Sequence, residues 1–184
     1  MSRIFRRIVL LSCIVLVFSI SIPINAHSIT DNTNYKFVCI EYGKVLNVYT
    51  SGSPASGDSV TLYTSSGGYT NNTQAWAFQP ALEYSTSTVI KKLVLYYDIT
   101  LVANYHQADE TCTLYPWNSP NEEYRDYLVY IMGYNDIPNQ IYVPMVLRDV
   151  YLGNSGSYDG AACKWYSTGY YYPEDVWTLI SPSS

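Results

Sequence analysis

The chain has 184 residues and a net charge of −5, with 21 tyrosines and only 14% charged residues. That length holds one domain with a sizeable core and scarcely two. The acidic balance repels phosphate backbones and anionic lipid, which argues against nucleic acid and against a membrane surface as partners.

The first segment stands apart. Arg3, Arg6 and Arg7 precede an apolar run from Ile8 to Ile22, Pro23 ends it, and Ala26 is a small residue suited to cleavage. This order reads as a secretory signal peptide, 1–26, which leaves 27–184 as a single secreted, extracellular domain. The run is shorter than the ~20 residues that cross a bilayer, and nothing after it is apolar for long enough, so no membrane insertion is expected. Cys13 leaves with the signal. Cys39, Cys112 and Cys163 remain, an odd number that reads as small buried hydrophobes with one disulfide still possible.

From residue 35 onward the chain shows short alternating runs rather than helical periodicity: 35–40, 45–49, 59–63, 75–78, 92–98, 111–115, 128–131, 145–152, 163–166 and 176–180, separated by Gly, Ser, Asn, Asp and Pro. Many short strands at even spacing predict an all-β barrel or sandwich. Internal similarity favours the barrel. Ser-Val-Thr-Leu-Tyr at 59–63 matches 111–115 and 162–166, aligning Leu62, Leu114 and Trp165. Trp76, Leu128 and Trp177 align next, and Val-Leu-Asn-Val-Tyr at 45–49 resembles Val-Leu-Arg-Asp-Val-Tyr at 146–151. Three ordered anchors with a period of about fifty residues predict a β-trefoil of three repeats with four short strands each. A two-sheet sandwich is the alternative. Closing the barrel leaves no free sheet edge, which would otherwise invite aggregation.

The Gln74-Ala75-Trp76 stretch, with this period, resembles the Gln-x-Trp repeat of ricin B-chain-type lectin domains, over roughly Asn34 to Pro182. Repeat 3 carries Asp175-Val176-Trp177 and repeat 2 Asp126-Tyr127-Leu128 at the same place. The resemblance implies that the motif tryptophans are core residues. It places a sugar site on an acid early in the repeat, an aromatic platform after the third strand and an amide before the tryptophan. These residue types suit a sugar. A ring stacks on its apolar face, a carboxylate accepts hydroxyl hydrogen bonds, and an amide both donates and accepts. In repeat 3 this implies Asp149 as acid and Tyr166 as platform, with Glu174 and Asp175 where amides are usual. In repeat 1 it implies Asn47, Tyr63, Asn72 and Gln74. Repeat 2 offers Val102 or Ala103 for the acid and Tyr115 as platform, and reads as degenerate, with Asp126 and Arg125 free to pair.

No catalytic constellation competes. His27 lies at the cleavage site, and His106 with Asp109 and Glu110 reads as a solvated loop. Neither metal-ligand spacing nor a nucleophile elbow occurs, so no cofactor and no enzyme activity are expected. The resemblance implies a carbohydrate partner of galactose type, with a separate protein chain as a further partner if the domain serves a toxin or enzyme complex. A protein-binding trefoil, using the segment 116–126, is the alternative reading.

Overall fold

The computed structural model describes residues 29–68, 70–82, 89–117, 126–167 and 172–181. The segment 1–26 lies outside them. Repeat 1 supplies β1 (Lys36–Cys39), β2 (Val45–Tyr49), β3 (Ser59–Tyr63) and β4 (Trp76–Pro80). Repeat 2 supplies β5 (Lys91–Leu95), β6 (Asp98–His106), β7 (Thr111–Pro116) and β8 (Leu128–Val129). A short β9 (Met132–Gly133) leads to repeat 3, with β10 (Gln140–Tyr142), β11 (Tyr151–Asn154), β12 (Cys163–Tyr166), a 3-10 turn at Pro173–Asp175 and β13 (Trp177–Ile180).

First and last strands of the repeats close a ring. β1 pairs β13, β13 pairs β10, β4 pairs β5 and β5 pairs β8, all antiparallel. The bridges Tyr35–Trp76 and Val129–Met145 join the remaining neighbours, so the six strand positions leave no open barrel edge. The middle strands form three hairpins, β2–β3, β6–β7 and β11–β12, that cap one end. Their loops lock onto one another in rotation. Leu114 N–H donates to Asp58 O (2.9 Å), Trp165 N–H to Glu110 O (2.8 Å) and Leu62 N–H to Ala161 O (2.8 Å). A six-stranded ring capped by three hairpins with this pseudo-threefold bonding is a β-trefoil.

The three anchors are register equivalents. Leu62 faces Leu46, Leu114 faces Ala103 and Trp165 faces Leu152, and all six are fully buried. Trp76 and Trp177 are also fully buried, and their indole N–H groups donate to equivalent carbonyls, Leu46 O at 3.0 Å and Leu152 O at 2.8 Å. Leu128 takes the corresponding place in repeat 2. Satisfying the indole while burying the ring makes each tryptophan worth about 3–5 kcal/mol against alanine. Val60, Cys112 and Cys163 share one inward position by alternation, and Cys39, Cys112 and Cys163 are buried free thiols. Burial pushes the Cys163 thiol well up, with the neighbouring Cys112 and Cys39 adding to it, so the three behave as apolar fillers.

Two strand assignments change. The run 145–152 is not one strand: Val146–Asp149 forms a bend and β11 begins only at Tyr151. The run 92–98 reaches only the first residue of β6, and the rest of that strand, the longest among the described residues, lies outside the expected runs: Leu101, Val102 and Ala103 are buried in succession, so it shows no alternation. Among the described residues, no helix is long and apolar enough to cross a membrane.

Candidate functional site

Cross-strand register identifies the equivalent positions independently of sequence similarity. Asn47 lies opposite Thr61, Asn104 opposite Thr113 and Gly153 opposite Lys164. The early polar position is therefore Asn47, Asn104 and Gly153 in the three repeats. This corrects two expectations. Asp149 sits four residues early, exposed in the bend, and is not among the described walls of the repeat 3 cleft. In repeat 2 the position is Asn104 rather than Val102 or Ala103. Asn47 and Asn104 even make the same bond, each Nδ2 donating to the carbonyl of the following residue, Val48 at 2.9 Å and Tyr105 at 3.0 Å. The position before the motif spacer is Gln74, Asp126 and Asp175.

Repeat 1 forms a cleft of about 210 Å³ that includes Asn47, Tyr63, Asn71, Thr73 and Gln74. Its polar groups are largely committed to one another. Gln74 is 1% exposed; its Oε1 accepts from Ser66 N–H (3.0 Å) and its Nε2 donates to Thr64 O (3.1 Å). Gln74 is thus a latch on the loop 64–66, with both ends of its amide engaged. The Thr73 hydroxyl lies 2.9 Å from Asn47 Oδ1 and 2.7 Å from Asn71 Oδ1. Tyr63 is exposed at the rim, whereas Asn72 is exposed and stands outside the cleft wall.

Repeat 2 fills its own site. Asp126 pairs with Arg148 through two near-parallel hydrogen bonds, Nε to Oδ1 at 2.9 Å and Nη2 to Oδ2 at 3.0 Å. The Arg148 guanidinium also lies 4.8 Å from the centre of the Tyr105 ring. The partner of Asp126 is therefore Arg148, delivered by the bend that sequence similarity mistook for a strand; Arg125 lies outside the described residues. Tyr115 is half-buried against the cluster of Val94, Val102 and Tyr127 rather than offered as a platform.

Repeat 3 keeps an open cleft of about 350 Å³, bounded by Tyr42, Asn154, Tyr166, Tyr172, Glu174 and Asp175 together with Ser155 and Gly156. Three of the four residues expected here converge: Tyr166, Glu174 and Asp175. The Tyr166 hydroxyl donates to Asn154 O (3.0 Å), which fixes the ring, and Asn154 Nδ2 donates to Glu174 O (2.8 Å), which ties the 3-10 turn to β11. Asp175 is 1% exposed, and neither of its oxygens has a hydrogen-bond partner. Burial raises its carboxyl to about 6. The Tyr172 backbone opposes this in part, and the Glu174 charge adds to the rise. Burial, then the Asp175 charge, pushes the Tyr166 phenol up to about 12.

Gly153, Asn154, Tyr42, Tyr172 and Arg148 were not picked out from the sequence. Aligning Tyr-Leu-Gly-Asn at 151–154 with Val-Leu-Asn-Val at 45–48, rather than 146–151, would have found the first two. His106 lies 2.8 Å from Asp109 on an exposed turn, where Asp109 also caps Thr111.

Known proteins place this architecture in context. No family model matches the sequence, and no curated protein matches it. Solved structures match through the fold. The designed threefold-symmetric protein ThreeFoil superposes with a TM-score of 0.62 at 19% identity, over 80% of this chain and 98% of that one. A Macrolepiota procera ricin B-like lectin in complex with lactose gives 0.60 at 15% identity, over 83% and 98%. The C-half of an earthworm R-type lectin in complex with GalNAc gives 0.59 at 15% identity, over 81% and 98%. At these identities the likeness establishes the trefoil.

Proposed function

We propose that the protein is a secreted carbohydrate-binding β-trefoil, a binding module rather than an enzyme, whose working site is the repeat 3 cleft. One observation carries the reading: the cleft joins the fixed ring of Tyr166 to an unbonded buried carboxylate, Asp175, with the second acid, Glu174, on its wall. A sugar presents the complement, an apolar C–H face for the ring and hydroxyl donors for acids. The lectin-like trefoils bound to lactose and GalNAc support a sugar of galactose type. The basic, then apolar, 1–26 segment supports export. Repeat 1, with its polar groups mutually bonded, is the weaker site, and repeat 2 is closed by Arg148.

A glycan array probed with the purified protein tests this. Binding to galactose-type glycans that Tyr166→Ala removes is the expected outcome. Retention of all glycan binding by Tyr166→Ala moves the site elsewhere. Binding to no glycan, with tight capture of a protein ligand, would favour a protein-binding trefoil acting as an inhibitor or as one subunit of a toxin or enzyme complex.

A further inference from the structure

The residue before the motif spacer occurs three times, and the fold answers it differently each time. In repeat 1 it is the uncharged Gln74, bonded at both ends to backbone. In repeat 2 it is Asp126, and the answer is a cation: the Arg148 guanidinium gives it two hydrogen bonds while lying against the face of Tyr105. In repeat 3 it is Asp175, more deeply buried than Asp126, with neither oxygen bonded and an open cleft beside it. That cleft carries Glu174 as a second acid and three tyrosines, Tyr42, Tyr166 and Tyr172, with no lysine or arginine among its described walls.

We propose that the repeat 3 cleft takes a sugar bearing a free, protonated amine, whose ammonium plays toward Asp175 and Glu174 the part that Arg148 plays toward Asp126. This rests on the carbohydrate reading above and narrows it to amino sugars. The physical grounds are three. A buried carboxylate without a partner is unfavourable, and a cation brought beside it recovers much of that loss. Tyrosine faces attract a cation in addition to stacking on a sugar ring. The acidic chain as a whole draws cationic ligands toward it. A neutral hexose offers hydroxyl donors without charge, and acetylating the amine removes the charge and adds bulk.

Calorimetric titration of the purified protein at neutral pH with galactosamine, N-acetylgalactosamine and galactose separates the cases. Galactosamine is expected to bind about tenfold more tightly than the other two, the size of one charge-assisted hydrogen bond. The margin should shrink in raised salt and in Asp175→Asn, whose folding is verified by thermal unfolding. Equal affinity for the three sugars, or a margin that survives salt and both Asp175→Asn and Glu174→Gln, overturns the amine preference and leaves the carbohydrate reading standing. Cyclohexylamine binding as tightly as galactosamine overturns the sugar. No binding by any of these ligands overturns both.

Discussion

Gly153 and Asp175 share one space. A Cβ added to Gly153 would stand 2.0 Å from Asp175 Oδ1 and 3.1 Å from the Tyr166 ring. The glycine is needed for room rather than for an unusual backbone angle. Repeat 1 solves the same corner the other way, with a side chain on Asn47 and the Gln74 amide turned toward the loop 64–66.

Gly153→Ala is expected to destabilise the fold by about 1–3 kcal/mol through overpacking. Asp175→Ala introduced with it should recover most of that loss, because it empties the contested space. Urea denaturation of the parent, both single variants and the double variant measures the coupling. Strictly additive losses would show that the two residues do not compete.

The Asp175 carboxyl gives the protein a distinctive pH dependence. Burial raises its pKa to about 6 in the fold, against about 4 in an unfolded chain. Between these values the folded protein holds more protons than the unfolded one, so stability falls as pH rises from about 4 to about 6 and is then level. The loss is on the order of 2–3 kcal/mol. Asp175→Asn should raise the melting temperature at pH 7 to 8 and leave it nearly unchanged at pH 4. Parallel pH profiles for parent and variant would refute the burial argument.

Arg148 and Asp149 are neighbours with opposite expected consequences. Arg148→Met strands the Asp126 carboxylate and should cost about 2–4 kcal/mol, with Asp126→Asn restoring much of it. Asp149→Ala, at an exposed bend, should stay within about 0.5 kcal/mol and leave sugar binding intact. Chemical denaturation and titration of each variant decide it, and a binding loss in Asp149→Ala would return that residue to the site.

Gln74→Ala removes both bonds to the loop 64–66 and should destabilise by about 1–3 kcal/mol. Amide hydrogen exchange at Ser66, whose N–H donates to Gln74, is the local readout. Unchanged protection there would mean the latch is idle.

For Tyr166 the ring and the hydroxyl can be separated. Tyr166→Phe loses the bond to Asn154 O but keeps the face, and should bind sugar within about threefold of the parent; Tyr166→Ala should weaken binding by about tenfold or more. Equal losses in the two variants would make the hydroxyl, not the face, the binding element.

The fold was legible because its signals are local and repeated. Leu62, Leu114 and Trp165 lie on strands with turn residues on either side, and the structure keeps them equivalent. The site was legible only where it shares those strands, as at Tyr166, or the motif, as at Asp175. Asp149 misled because a fixed period assumes equal loops. Asn47 stands 14 residues before its partner Thr61, but Asn104 stands 9 before Thr113 and Gly153 only 11 before Lys164, so the strands before the turn slip out of step. The similarity of 146–151 to 45–49 filled the gap with the wrong match. The bare carboxylate of Asp175 was illegible for another reason. It depends on a missing side chain at Gly153, a residue distant in sequence, and packing of that kind leaves no mark in local pattern.

The rotating bonds between hairpin loops bear on how the chain reaches this state. Asp58 waits for Leu114, Glu110 for Trp165, and Leu62 for Ala161, which arrives last and from farthest along the chain. No repeat completes its own cap, so none is a self-sufficient folding unit. Most of the entropy of bringing distant segments together is spent before the last contacts return anything, which places the protein among slow, topology-limited folders. A chain cut between repeats would leave each piece with an unanswered hairpin, and the pieces would have to find one another before either could fold.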